Sequence, residues 1–137
     1  VTGASGFLGS HIVSQLLAQG KYTVRAVARS AGKIRKIFPN AGNKLEVVEL
    51  PTLTSDFTDA LKGVTAVVHS ASPSYLTGVS GKEIFEGAYH GTTHVVEQAI
   101  AAGVKKIVIT GTFASLFDGD FAAAFGTKVV TEKDFGS

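Results

Sequence analysis

The chain has 137 residues, about the size of one domain, with a formal net charge of +2 at pH 7 and no cysteine. The absence of cysteine excludes disulfides, thiolate metal sites and cysteine nucleophiles. The small, scattered positive charge does not favour a nucleic-acid partner, and no apolar run reaches the roughly 18 residues of a membrane helix. We therefore expect a cytoplasmic protein with neither a nucleic-acid nor a membrane partner.

Apolar periodicity predicts an alternation of helices and strands along the chain. The expected elements are a helix at 7–19, a strand at 23–28, a short helix ending before Pro39, a strand at 45–50, one or two helical turns at 56–61, a strand at 64–70, a long helix at 82–102 and a strand at 106–110. Residues 116–126 are predicted as loop with some helix.

Two helices show apolar faces that we expect to be buried. The first carries Leu8, Ile12, Val13, Leu16 and Leu17, and the long one carries Ile84, Phe85, Ala88, Thr92, Val95, Val96 and Ala99. Strict alternation predicts right-handed crossovers and a Rossmann-type, doubly wound parallel sheet with helices on both faces, an α/β fold. Ligands of such sheets bind beyond the carboxyl ends of the strands.

The ends of the chain suggest a partial sequence. It contains no methionine, it opens on Val1-Thr2-Gly3, which resembles the tail of a strand, and no closing element follows Asp134. We expect residues 1–137 to be a partial NAD(P)-binding Rossmann domain, truncated at both ends. The C-terminal catalytic and substrate-binding part would then be missing.

A glycine-rich turn joins the first predicted strand to the first helix. Gly3 permits a tight turn, Gly6 permits close approach of a pyrophosphate, and Gly9 permits close packing of the helix. Amides at the start of the helix would point at the phosphates. The predicted dinucleotide-binding residues here are Gly3, Ser5, Gly6, Phe7, Leu8 and Gly9. A purely structural turn is the alternative, but the strand–turn–helix context favours the nucleotide.

The end of the second predicted strand indicates which nucleotide is bound. NAD sites place an acidic residue there, whereas this chain has Arg29, followed by Ser30 and Lys33. A guanidinium binds a phosphate through paired hydrogen bonds, and a lysine adds positive charge. These three residues predict a site for the 2′-phosphate of NADP(H). A solvated basic face that also includes Arg35 and Lys36 is the alternative.

These segments together resemble the extended short-chain dehydrogenases/reductases, also called the epimerase/dehydratase superfamily. The segment Thr2-Gly3-Ala4-Ser5-Gly6-Phe7-Leu8-Gly9 is similar to its TGxxGxxG turn. The segments His69-Ser70-Ala71-Ser72-Pro73, Gly91-Thr92 and Val108-Ile109-Thr110-Gly111-Thr112 follow in the family's order and spacing. The basic residues after the second strand and the segment from His69 most resemble the branch of dihydroflavonol-4-reductase-like and fungal ketone or aldehyde reductases.

The resemblance implies roles near the nicotinamide end of the cofactor. Ala71, Ser72 and Pro73 would line the ribose, and Thr112 would be the catalytic hydroxyl that donates a hydrogen bond to the substrate oxygen. A fixed donor stabilises the negative charge that develops on a carbonyl oxygen during reduction. Capping of the strand end is the alternative role for Thr112, and both stay open.

Three departures from the family pattern are visible. Thr52 stands where relatives usually carry an adenine-contacting aspartate, and Ala88 stands where asparagine is frequent. The catalytic tyrosine followed four residues later by lysine is absent, since Tyr22, Tyr75 and Tyr89 are followed at that spacing by Ala26, Val79 and Thr93. We expect that pair beyond Ser137 and the chain alone to be catalytically silent.

We predict an NADP(H)-dependent oxidoreductase that reduces a ketone or aldehyde to an alcohol, with a small-molecule carbonyl or alcohol as its substrate. The histidines His11, His69, His90 and His94 show no metal-ligand pattern, so no metal is expected. The alternatives are a non-catalytic NADP(H)-sensing regulatory protein and an NAD-dependent sugar epimerase or 3β-hydroxysteroid-type dehydrogenase. The sequence indicates neither the substrate nor the oligomeric state.

Overall fold

The computed structural model describes residues 1–73, 78, 80–116, 126, 129, 131 and 133. The helices are α1 (Phe7–Ala18), α2 (Ala31–Ile37), α3 (Thr58–Leu61) and α4 (Gly81–Ala101), and the strands are β1 (Val24–Ala28), β2 (Leu45–Glu49), β3 (Ala66–His69) and β4 (Lys106–Ile109). Short 3₁₀ turns lie at Gly42–Lys44 and Phe113–Leu116. The expected helix within 116–126 lies almost wholly outside the described residues.

The strands form two parallel pairs that are joined through one residue. β1 pairs with β2 from Val24 opposite Leu45 to Ala28 opposite Glu49, and β3 pairs with β4. Thr2 makes parallel bridges to Val27 on one side and to His69 on the other. The spatial order is therefore β2, β1, the segment of Thr2, β3 and β4. This arrangement confirms the predicted parallel α/β sheet.

Alternate residues of β1 face opposite sides of this sheet, as the period of a strand requires. Ala26 and Ala28 belong to a buried cluster with Val13 of α1 and Ile34 of α2. Val27 belongs to a second cluster, whose other buried members come from the segment Phe57–Leu61, from β3 and from α4. Helices therefore cover both faces of the sheet, which confirms the doubly wound architecture.

Two apolar side chains predicted to be buried are exposed. Phe85 of α4 is 66% exposed and stacks on Tyr89 with ring centroids 5.7 Å apart, and Leu8 of α1 is 50% exposed. The buried side of α4 carries Gly91, Val95 and Ala99, which recur every four residues. The prediction for α4 considered apolar side chains and so did not include Gly91. It therefore placed Phe85, which lies to one side of the row of Gly91, Val95 and Ala99, on the buried face.

Both ends of the long helix α4 are defined by local interactions. Ser80 Oγ accepts a hydrogen bond from the backbone amide of Glu83, and the Glu83 carboxylate accepts one from the amide of Ser80, forming a capping box. Gly103 follows the last turn with a φ of +74°, as the left-handed end of a helix requires. Among the described residues, no helix is both long enough and apolar enough to cross a membrane.

Candidate nucleotide-binding site

The glycine turn begins at Gly3, immediately after the residue that joins the two strand pairs. Gly3 has a φ of +67°, and its carbonyl oxygen accepts a hydrogen bond of 2.9 Å from the amide of Gly6. A β-carbon at Gly3 would lie 2.8 Å from the backbone nitrogen of Ala71, which follows β3. Only glycine combines this conformation with this approach, so the turn is held closely against the segment after β3.

Gly9 holds the first turn of α1 against the glycine turn. A β-carbon at Gly9 would overlap the carbonyl oxygen of Gly3 and lie 2.7 Å from its carbonyl carbon. A β-carbon at Gly6 would lie 3.2 Å from the same oxygen, a tight but less severe contact. The three glycines thus form a closely packed turn, the glycine cradle, in which backbone lies directly against backbone.

The N-terminus of α1 opens onto this cradle. Gly6 is its N-cap residue, so no side chain caps the helix, and its first turn contains no acidic residue. Ser5 is half-buried, whereas Phe7 is 86% exposed and Leu8 is exposed as well. The first amides of a helix lack intrahelical partners and favour an anion, since the helix dipole is positive at this end. The arrangement fits the pyrophosphate of a dinucleotide.

The predicted 2′-phosphate residues lie where β1 passes into α2. Ala28, the last residue of β1, is buried, whereas Arg29, Ser30 and Lys33 are exposed. Within the described part of the chain, the ion pairs join Arg25 to Glu46 and Lys82 to Glu86. Neither Arg29 nor Lys33 is in an ion pair with a described residue, so both present positive charge at the carboxyl end of β1.

An acidic side chain lies closer to this segment than its sequence indicates. Glu49, the last residue of β2, accepts a hydrogen bond of 2.7 Å through Oε2 from the backbone amide of Ala31. A carboxylate therefore lies beside this segment, although residues 26–33 contain none. The contact was missed because the parallel pairing of β1 and β2 brings together residues 18 positions apart.

The segment after β3 packs against both the glycine turn and α4. The amide of Ala71 donates a hydrogen bond of 3.3 Å to Thr2 Oγ1, and Ser70 Oγ donates one of 2.8 Å to the carbonyl oxygen of Thr2. Ser72 is exposed, and Pro73 packs against Gly87 of α4, where a β-carbon would lie 2.7 Å from the proline ring. The structure thus brings two predicted parts of the site, Gly3 and Ala71, into contact.

His69 makes buried hydrogen bonds next to the glycine turn, which the sequence analysis did not predict. His69 is 2% exposed, with Nδ1 2.8 Å from Thr2 Oγ1 and Nε2 3.1 Å from Thr92 Oγ1 of α4. Burial lowers the pKa of His69 below its ordinary value. The signal available in the sequence was a histidine at the end of an otherwise apolar strand. It was overlooked because the histidines were assessed only as metal ligands.

Thr112 lies three residues beyond the end of β4 and is exposed. Its carbonyl oxygen accepts hydrogen bonds from the amide and the hydroxyl of Ser115, at 3.1 and 2.6 Å, at the start of a 3₁₀ turn. Thr110, nearer the strand, donates to the carbonyl oxygen of His69 through both its amide and its hydroxyl. The loop carrying Thr112 is thereby tied to the end of β3.

The remaining candidate residues contact their own turn or a neighbouring element. The Thr52 hydroxyl lies 3.1 Å from Thr54 Oγ1 and 3.0 Å from Ser55 Oγ, within its own turn, and Ala88 is half-buried on α4. His94 Nε2 lies 2.8 Å from the carbonyl oxygen of Ser55. No group of three or more potential metal-ligating side chains occurs among the residues whose positions are described. Tyr75 and Val79 lie outside the described residues.

A glycine cradle at the start of a helix, beside the carboxyl ends of parallel strands, defines the class of dinucleotide-binding Rossmann domains. The comparison with known families agrees, since the NAD(P)H-binding family model matches residues 3–132. The chain belongs to this family, within the extended short-chain dehydrogenase/reductase superfamily. The predicted resemblance is therefore confirmed.

Curated relatives from several organisms are similar to most of this chain. An uncharacterised oxidoreductase of Schizosaccharomyces pombe is 35% identical over 98% of the chain and 42% of its own length. The human sterol-4-alpha-carboxylate 3-dehydrogenase is 38% identical over 87% of the chain and 30% of its own length. Aldehyde reductase 2 of Sporidiobolus salmonicolor is 36% identical over 84% of the chain and 35% of its own length. The chain thus spans less than half the length of these relatives.

Solved structures with either nucleotide are similar to the chain. The yeast methylglyoxal/isovaleraldehyde reductase in complex with NADPH shares 28% identity, with a TM-score of 0.67 over 85% of this chain and 37% of that one. A dTDP-glucose 4,6-dehydratase from Streptomyces venezuelae with bound NAD shares 27% identity, with a TM-score of 0.71 over 87% and 40%. The family binds NAD(P)(H), and these two structures differ in which form they hold.

Proposed function

We propose that this chain is the nucleotide-binding domain of an NADP(H)-dependent oxidoreductase that reduces a ketone or aldehyde to an alcohol. The glycine cradle carries the proposal, because Gly3 and Gly9 allow close backbone packing at a helix start that no side chain caps, and the amides there suit a pyrophosphate. The similarity to an aldehyde reductase and to an NADPH-bound carbonyl reductase supports the substrate class. Bound NADPH would supply the reducing equivalent.

The residues of the chain divide the work of binding in this proposal. The first amides of α1 hold the pyrophosphate, with Ser5, Phe7 and Leu8 beside it. Arg29, Ser30 and Lys33 hold the 2′-phosphate, for which an exposed guanidinium and ammonium supply opposite charge. Ala71, Ser72 and Pro73 line the ribose next to the nicotinamide.

Thr112 is the proposed catalytic hydroxyl. Its exposure and its position after β4, at the carboxyl edge of the sheet, suit a donor to a substrate carbonyl oxygen. A tyrosine and a lysine acting in proton transfer would be supplied by another part of the protein, because no tyrosine of this chain is followed four residues later by lysine.

The cofactor assignment is tested by calorimetric titration of the protein with NADPH and with NADH. We expect a preference of about tenfold or more for NADPH, lost in Arg29→Asp because the new carboxylate repels the 2′-phosphate. Arg35→Asp is the matched control, since it makes the same charge change at an exposed position later in α2. Equal loss in both variants would indicate only a general basic face.

The same titration separates the proposal from its rivals. Equal or NADH-favouring affinity in the unaltered protein would move the assignment towards NAD-dependent epimerases and steroid dehydrogenases. In the whole protein that carries this domain, tight NADPH binding without consumption of NADPH in the presence of aldehydes or ketones would favour a non-catalytic sensor. Consumption of NADPH with formation of the corresponding alcohol supports the proposed reductase.

A further inference from the structure

Two neighbouring strands end in opposite charges at the segment proposed for the 2′-phosphate. Arg29 follows β1, and Glu49 ends β2 directly beside Ala28 in the parallel register. The amide of Leu50 donates a hydrogen bond of 3.0 Å to the carbonyl oxygen of Ala28, which fixes this register at the strand ends. Glu49 Oε2 then reaches over the strand end to the amide of Ala31, 2.7 Å away.

We propose that Glu49 is a specificity-determining residue that limits how strongly the site prefers NADPH over NADH. The inference rests on the proposed nucleotide site. A glutamate carboxylate is negative at neutral pH, so it repels the nearly divalent 2′-phosphate of NADPH. The free 2′-hydroxyl of NADH is a hydrogen-bond donor, which a carboxylate accepts.

Glu49 also competes for a hydrogen-bond donor. Ala31 lies two residues after Arg29, and its amide already donates to the Glu49 carboxylate. A phosphate oxygen could use that amide only after displacing the carboxylate. NAD sites place an acidic side chain at the end of the second strand of the fold, whereas here the acid reaches the same turn from the adjacent strand.

No basic side chain neutralises Glu49 within the described ranges. Both ion pairs recorded there use other carboxylates, those of Glu46 and Glu86. Glu49 is exposed, so its interaction with a bound nucleotide acts partly through water and is weakened by salt. These conditions predict a moderate effect that depends on ionic strength.

The test is calorimetric titration of the Glu49→Gln variant with NADPH and with NADH at low and high salt. We expect NADPH to bind about fivefold more tightly to the variant than to the unaltered protein, and NADH to bind the variant no more tightly than the unaltered protein. The gain for NADPH should shrink as salt is added. Glu97→Gln is the matched control, because it removes the same charge from an exposed position on α4 and should leave both affinities unchanged.

A second variant and a second probe keep the test decisive. If Glu49→Gln does not fold, Glu49→Thr also removes the charge and introduces a residue suited to a strand. Thermal melting establishes whether each variant is folded. Adenosine 2′,5′-bisphosphate, compared with adenosine 5′-monophosphate, isolates the contribution of the 2′-phosphate. Equal change for NADPH and NADH in folded Glu49 variants overturns the role of Glu49 and leaves the proposed function standing. Failure of the unaltered protein to bind either nucleotide overturns both.

Discussion

Thr2 Oγ1 and His69 Nδ1 lie 2.8 Å apart, although the two residues are 67 positions apart in the chain. Thr2 immediately precedes the glycine turn, and His69 immediately precedes the segment that contacts that turn. The other ring nitrogen of His69 meets Thr92 of α4 at 3.1 Å. One buried imidazole therefore links the start of the proposed nucleotide site to α4, which covers the sheet face opposite α1.

Replacing His69 should destabilise the fold. His69→Leu removes the hydrogen bonds of the imidazole to the hydroxyls of Thr2 and Thr92, and we expect a loss of about 1–3 kcal/mol in the free energy of unfolding, measured by urea denaturation. His90→Leu is the control, since His90 is exposed on α4 and should change this free energy little. Equal effects of the two substitutions would contradict a structural role of the buried imidazole.

The same residue predicts a dependence of stability on pH. Burial lowers the pKa of His69 in the folded state, so below the ordinary value of about 6.5 the unfolded chain binds a proton that the folded chain does not. Its contribution is fully present above that pH and is lost as the pH falls towards the lowered pKa. The difference in melting temperature between the unaltered protein and His69→Asn should narrow from pH 7 to pH 5. His11→Asn, at an exposed position on α1, should show no comparable narrowing.

The clearance at Gly9 predicts a strong effect of a single methyl group. In Gly9→Ala the new β-carbon would overlap the carbonyl oxygen of Gly3, so the turn or helix α1 must move. We expect a cost of about 1–3 kcal/mol in unfolding free energy and weaker nucleotide binding. Gly81→Ala is the matched control, because a β-carbon there meets nothing within 4 Å. Normal stability and binding of Gly9→Ala would contradict the cradle described above.

Arg25 of β1 forms an ion pair with Glu46 of β2 and also donates hydrogen bonds at the C-terminal end of α3. Its Nη1 donates to the carbonyl oxygens of Ala60 and Lys62 at 3.0 and 2.8 Å, while Nη2 lies 2.6 Å from the Glu46 carboxylate. Arg25→Lys retains the charge but cannot reproduce this fork, so we expect a loss of about 1–2 kcal/mol in urea denaturation. Glu46→Gln should cost less, because the pair is partly exposed. The reverse order would show that the ion pair dominates.

Much of the architecture could be predicted because its signals are local. Observed element ends lie within about two residues of the predicted ones, since Gly20 and Gly103 mark the ends of helices and the strands are short apolar runs. The glycine turn was recognised for the same reason, because its residues and the helix that follows are contiguous. The roles of Arg29, Ala71 and Thr112 stay predictions.

The relationships that escaped prediction are those created by packing. The contact of Glu49 with Ala31 depends on the register of two parallel strands, which no periodicity specifies. The links of His69 to Thr2 and Thr92 need three elements to be assembled at once. Phe85 was misplaced because Gly91, rather than a large apolar residue, marks the side of α4 that approaches the loop of Leu53.

The bridge at Thr2 has a consequence for how the sheet comes apart. Within the part of the chain that is described, the amide of Thr2 donates to the carbonyl oxygen of Val68 at 3.0 Å, and the amide of Val27 donates to that of Val1 at 2.8 Å. These two amides lie on the seam between the two strand pairs. Their rate of exchange with solvent deuterium would report how often the halves of the sheet separate, independently of motion within either half.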